Sequence, residues 1–112
     1  MKVKEITGEL QLRLFTGEAG LEREVSGAYV CDLLSDVMGF AREGEAWITL
    51  QSHLNVIAIA SLKDMPAVFL VRGNEPEAAV VKKAEEEGIA VAGTNMSAFE
   101  LAGRLYEILH RP

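Results

Sequence analysis

The chain has 112 residues, 49% apolar and 25% charged, which is enough for one folded core but short for a catalytic machine with its own cofactor domain. Lys and Arg number 11 against 17 Asp and Glu, so the formal charge is -6 and no basic cluster reverses it, which excludes nucleic acid as an expected partner. Cys31 is the one cysteine, so no internal disulfide forms, and no window approaches the roughly 18 apolar residues a spanning helix needs. The expectation is a cytoplasmic chain without a membrane partner.

The opening "MKVKEITGEL" has two lysines but no apolar stretch behind them to form a leader. Within it "VKEITGEL" reads as a short helix, and "LRLFTG" as a strand ending at the Gly17–Gly20 turn. From Gly27 onward short apolar runs alternate with longer amphipathic ones. "GAYVC" (27–31) is a predicted strand, since Tyr29 and Val30 favour extended backbone. "DLLSDVMGFAR" (32–42) places Leu33, Leu34, Val37, Met38 and Ala41 on one helical face, with Gly44 ending the helix. "AWITL" (46–50) is the next predicted strand.

"NVIAIA" has the β-branched content of a strand, but no turn separates it from "AWITL", so Asn55 to Leu62 reads as a helix largely surrounded by apolar neighbours. "AVFLV" (67–71) is a continuous apolar run of the kind buried on both faces of a sheet. In "RGNEPEAAVVKKAEEEG" Asn74 is the predicted cap, Pro76 falls in the first turn and Gly88 supplies a left-handed exit. "IAVAG" (89–93) is the last strand. Ser97 and Glu100 then have capping-box spacing before a helix with Phe99, Ala102, Tyr106 and Leu109 on its predicted apolar face. Leu101, Leu105 and Ile108 widen that face beyond what one sheet needs, which points to a partner surface and a homodimer.

Strict alternation of strands and helices predicts one α/β domain over residues 1–112, a three-layer α/β/α sandwich around a mostly parallel, mixed sheet of about five strands. Ligands of such sheets bind beyond the carboxyl ends of the strands. Four strand-to-helix junctions reach that edge. They carry Cys31, Asp32, Ser35 and Asp36; then Thr49, Gln51, Ser52, His53 and Asn55; then Arg72, Gly73 and Asn74; and last Thr94, Asn95 and Ser97. A polar rim fed by helix N-termini suits a small anionic or nucleotide-like ligand. The same residue types also serve as helix caps, which every junction needs.

Arg72-Gly73-Asn74 is the most suggestive junction, because an arginine beside a glycine at a helix start suits a carboxylate or phosphate. The alternative is a surface arginine beside an ordinary tight turn. Cys31, His53 and Asp36 together have the chemistry of a thiol nucleophile, but a cysteine at the end of an apolar strand is more often a small buried residue. His53 has only His110 for company and no ligand cluster of zinc spacing surrounds it, so no metal is assigned. Neither GxxxxGK[ST] nor GxGxxG occurs, and no cofactor or catalytic residue is assigned.

"DLLSDVM", "WITLQSHLNVIAIA" and "EEGIAVAGTNMSAFELAGRLY" together resemble a DRTGG domain, over about residues 15 to 109. The resemblance implies an α/β/α domain similar to the N-terminal domain of HPr kinase/phosphorylase. Such domains also occur within some phosphotransacetylases and beside CBS domains in regulated pyrophosphatases. It further implies a regulatory, oligomer-forming role, with catalytic parts elsewhere. Two signatures depart from the family. Gln51-Ser52-His53 stands where the family has Gly-Asp-Arg, and Arg72-Gly73-Asn74 where it has Thr-Gly-Gly, leaving one glycine and the following Pro76.

Three functions therefore compete: a ligand-sensing regulatory module, an interaction subunit of a larger metabolic enzyme, and a small enzyme or component of HPr-type phosphotransfer regulation. The candidate ligand-binding residues are Asp32, Asp36, Thr49, Gln51, Ser52, His53, Asn55, Arg72, Gly73, Asn74, Thr94 and Asn95.

Overall fold

Strands separated by single helices pair in parallel, because each helix crosses over the sheet and returns the chain to the end where it started. The computed structural model, which describes residues Met1 to Pro112, follows this rule from its second strand onward. The elements run α1 (Val3–Glu9), β1 (Arg13–Leu14), β2 (Gly27–Val30), α2 (Leu34–Phe40), β3 (Glu45–Thr49), α3 (Leu54–Leu62), β4 (Ala67–Leu70), α4 (Ala78–Glu87), β5 (Ala90–Gly93) and α5 (Ala98–Leu109). One five-stranded sheet has the order β1-β5-β4-β3-β2; β1 is antiparallel to β5 and the other pairs are parallel.

Side chains alternate across a strand, so each central strand feeds two cores. Ala46, Ile48, Ala67, Phe69, Ala90 and Ala92 face α1 and α5, where Val3, Ile6, Leu101 and Leu105 meet them. Trp47, Val68, Leu70 and Val91 face the opposite way, against Val37, Val56, Ile57, Val80 and Ala84 of α2, α3 and α4. The result is the three-layer α/β/α sandwich with a mixed sheet. β4 and β5 are buried along their whole length, as "AVFLV" and "IAVAG" predict.

Several local expectations shift. The face predicted for α2 narrows to Val37 and Ala41, with Leu34 partly buried against the same core, while Leu33 is 64% exposed and Met38 40%. The helix lies beside the edge strand, where one buried row suffices. It ends at Phe40 because Ala41 is extended, and the positive φ of Gly44 opens β3 instead of closing α2. α3 begins after His53 with no side-chain cap. α4 begins at Ala78, behind Pro76 rather than around it, and Asn74 bonds within the preceding turn. Gly88 does adopt the left-handed exit at φ 70°.

In α5 Ser97 accepts from the Glu100 N–H at 3.2 Å, as its spacing predicts, but the Glu100 carboxylate turns to Arg104. The core stripe is Leu101, Leu105 and Ile108, at i, i+4 and i+7. Phe99, at 89% exposure, and Tyr106 point outward, so the predicted face is rotated relative to the observed one.

Candidate functional site

The carboxyl ends of β2 to β5 lie along one edge, and the predicted rim residues separate there into three places. The first is a hydrogen-bonded stitch. The Thr49 hydroxyl donates to Asp32 Oδ1 at 2.7 Å, and the Leu50 N–H donates to the same oxygen at 3.0 Å. Gln51 Nε2 reaches the Asp32 carbonyl at 3.3 Å, and the Gln51 N–H donates to Thr49 Oγ1 at 3.1 Å. Thr49 is buried and Asp32 exposed, so a surface carboxylate satisfies donors at the mouth of the core. These contacts join the β2–α2 and β3–α3 junctions. Nearby the Tyr29 hydroxyl donates to Asp36, and that bond to a carboxylate pushes the Tyr29 pKa up to about 12.

The second place is a shallow cleft of about 370 Å³ between the starts of α3 and α4, lined by Ser52, His53, Asn55 and Glu77. His53 is exposed and its ring forms no hydrogen bond. The Trp47 Nε1 donates to the Cys31 carbonyl at 2.8 Å. The three groups of the thiol reading are not joined to one another: Cys31 Sγ accepts from the Leu33 N–H at 3.4 Å, Asp36 holds Tyr29, and the His53 ring has no hydrogen-bond partner.

The third place is a cleft of about 430 Å³ at the ends of β4 and β5, where β1 closes one side and α5 the other. Gly73, Asn74, Thr94 and Asn95 lie in it, as four of the predicted residues. Two loops are zipped together beneath them: the Arg72 N–H donates to the Met96 carbonyl and the Gly73 N–H to the Thr94 carbonyl, both at 2.9 Å. Arg72 and Gly73 both take left-handed backbone, at φ 59° and 75°. For Gly73 the conformation and the space agree, since a Cβ there would lie 3.1 Å from Asn95 Oδ1. For Arg72 it is strained, as expected of a non-glycine residue there.

Arg72 itself is exposed and does not line this cleft. The guanidinium groups that do are Arg13, on β1, and Arg104, on α5. The residue reading passed over both, because their elements come from opposite ends of the chain and no local spacing relates them. Arg13 lies 5.0 Å from the centroid of Phe15 and 3.4 Å from Glu75, while Arg104 donates to Glu100 at 3.0 Å.

Fold and rim together define a three-layer α/β/α domain with a cleft of about 430 Å³ at the strand ends, next to the antiparallel edge. No family model matches the chain, and no curated protein is found similar to it. A solved structure is similar in fold, with a TM-score of 0.70 and 20% identity over 93% of this chain. It is the crystal structure of the CBS and DRTGG domains of the regulatory region of Clostridium perfringens pyrophosphatase, complexed with its activator diadenosine tetraphosphate. This chain spans 45% of that one, and the likeness establishes a DRTGG-like fold. No helix is long and apolar enough to cross a membrane.

Proposed function

We propose that this chain is a non-catalytic regulatory module that senses a small anionic or nucleotide ligand in the 430 Å³ cleft at the ends of β4 and β5. The observation that carries this is the cleft itself: its size falls within the range of small-molecule sites, and both Arg13 of β1 and Arg104 of α5 line it. The DRTGG resemblance and the nucleotide complex of the pyrophosphatase regulatory region support the reading.

A thermal-shift screen with nucleotides, including diadenosine tetraphosphate, and with phosphorylated metabolites tests it. A ligand at a hundred times its Kd stabilises the fold by about 2.7 kcal/mol, which is a shift of many degrees for a chain of this size. Arg13→Ala and Arg104→Ala are expected to reduce the shift and Arg72→Ala to preserve it. A shift that survives both cleft substitutions places the ligand elsewhere.

We further propose a homodimer, because Phe99 and Tyr106 leave apolar surface exposed on α5 and β2 ends the sheet without a neighbour. Light scattering decides this. A monomer that co-purifies with a larger enzyme favours the interaction-subunit alternative.

A further inference from the structure

The two arginines of the main cleft are held differently from those that serve structure. Arg23 uses both terminal nitrogens, donating to the Gly88 carbonyl at 3.1 Å and to Asp64 at 2.7 Å. Arg111 likewise directs both of its terminal nitrogens to Glu9. Arg13 forms no side-chain hydrogen bond at all: one face lies over Phe15, and its ion pair to Glu75 is stretched to 3.4 Å. Arg104 uses one nitrogen, on Glu100. A guanidinium carries five donors in a plane, so both side chains retain unused donors where they line the cleft. Arg42 and Arg72 are also without partners, but they are exposed outside it.

Other donors lie alongside. The Asn95 side chain has no hydrogen-bond partner, and the backbone N–H groups of Asn95 and Glu75 make no bond within the chain. A cleft with surplus donors suits a ligand made of acceptors. Yet Glu75 and Glu100 line the same cleft and balance the two arginines in charge. A ligand carboxylate would exchange one carboxylate for another at each arginine, so a monocarboxylate or a dicarboxylate entering the cleft gains little. A phosphoryl group carries up to two charges and three acceptor oxygens, enough to displace them.

Resting on the site proposed above, we infer that Glu75 and Glu100 are specificity-determining competitors: each occupies an arginine that the ligand must take over, which restricts the cleft to phosphate-class anions. Both glutamates are exposed, so on ligand entry they swing into water instead of being left unpaired in the core. The prediction has an unusual sign, because removing a polar group from the cleft strengthens binding.

The test is calorimetric titration of pyrophosphate, ATP and succinate into the full chain and into Glu75→Gln/Glu100→Gln, with Arg13→Ala/Arg104→Ala as the site control. The wild-type chain is expected to bind pyrophosphate or ATP and to disregard succinate, and the double Gln variant to bind the phosphates about threefold tighter or more. Measurable binding by the Gln variant alone supports the competition equally. If the arginine variant loses binding while the Gln variant matches or falls below wild type, the site stands and the competition is overturned. Succinate binding wild type as well as pyrophosphate overturns the phosphate restriction. If neither wild type nor Gln variant binds any probe, or the arginine variant binds normally, the site and the inference fall together.

Discussion

Phe15 stands directly against Gly93. A Cβ built on Gly93 would lie 2.7 Å from Phe15 Cε2, so the ring occupies the space that any other residue at the end of β5 would fill. The contact links the antiparallel edge strand to the last parallel one and supports Arg13 from below. Gly93→Ala is therefore expected to push Phe15 aside. The obstacle is a partly exposed side chain that can yield, so the cost is expected near 1 kcal/mol, with a smaller ligand-induced rise in Tm. Gly20→Ala is the contrasting case: its φ is +77°, and the new Cβ would meet the Ala90 nitrogen at 2.7 Å and the Gly88 oxygen at 3.0 Å. Backbone cannot yield in this way, and a loss of about 2 kcal/mol or more is expected by urea denaturation.

Asp32 is expected to act on stability before it acts on any ligand. Its Oδ1 accepts from Thr49 Oγ1 and from the Leu50 N–H. Asp32→Ala leaves the buried Thr49 hydroxyl without its acceptor and is expected to cost about 1–3 kcal/mol. A double-mutant cycle with Thr49→Val measures the coupling, and strict additivity would show that the two side chains act independently.

Tyr29 supplies a spectroscopic reading of the same region. Its hydrogen bond to Asp36 favours the protonated phenol, so the folded pKa of about 12 lies above the ordinary value of 10.0. That contribution is complete below pH 10 and is lost as pH rises towards 12. Ultraviolet titration of the folded chain is expected to show one of the two tyrosines ionising late, and Asp36→Asn to bring it back towards 10.0.

Glu22 governs the acid side. Lys4 at 2.7 Å and Lys2 at 2.9 Å hold its carboxyl at about 2, down from 4.5. The unfolded chain takes up this proton first as pH falls, so the contribution is full above pH 4.5 and fades as pH approaches 2. All three groups are solvent-exposed, and salt is expected to weaken the effect. The Tm of Glu22→Gln is expected to fall less steeply across this window than that of wild type.

In the proposed homodimer, Phe99→Ser on α5 is expected to change the light-scattering mass from dimer to monomer with little loss of intrinsic stability. The side chain is 89% exposed and contributes almost nothing to the core. An unchanged dimer would move the interface to another surface.

The alternation of "AWITL", "AVFLV" and "IAVAG" with helical runs was sufficient to read the layers and the parallel sheet, because full burial leaves an unbroken apolar signature. Helix ends were harder. Pro76 and Asn74 have the chemistry of a helix start, yet the backbone turns left-handed at Arg72 and Gly73 and the helix begins only at Ala78. The rotation of α5 escaped for a similar reason: Phe99 and Tyr106 are apolar enough to pass for core, and only the sheet decides which stripe it accepts. At the rim, four of the residues singled out by their chemistry, Gly73, Asn74, Thr94 and Asn95, come from consecutive junctions and line one cleft. Arg13 and Arg104 carry no such local signal, and they line one cleft only because β1 runs antiparallel beside β5 and α5 follows β5.

β1 is also the shortest strand, with two residues paired to β5, and Phe15 extends it by one N–H to the Val91 carbonyl at 2.9 Å. A lock is only as firm as the jamb it closes against, and here the jamb is held by very few backbone bonds. Short edge segments of this kind open at far lower free energy than the central strands. Any ligand that grips Arg13 also fastens this segment to the sheet. Slowed amide exchange at Arg13 and Phe15 would then report occupancy from the backbone, with no chromophore and no activity to assay.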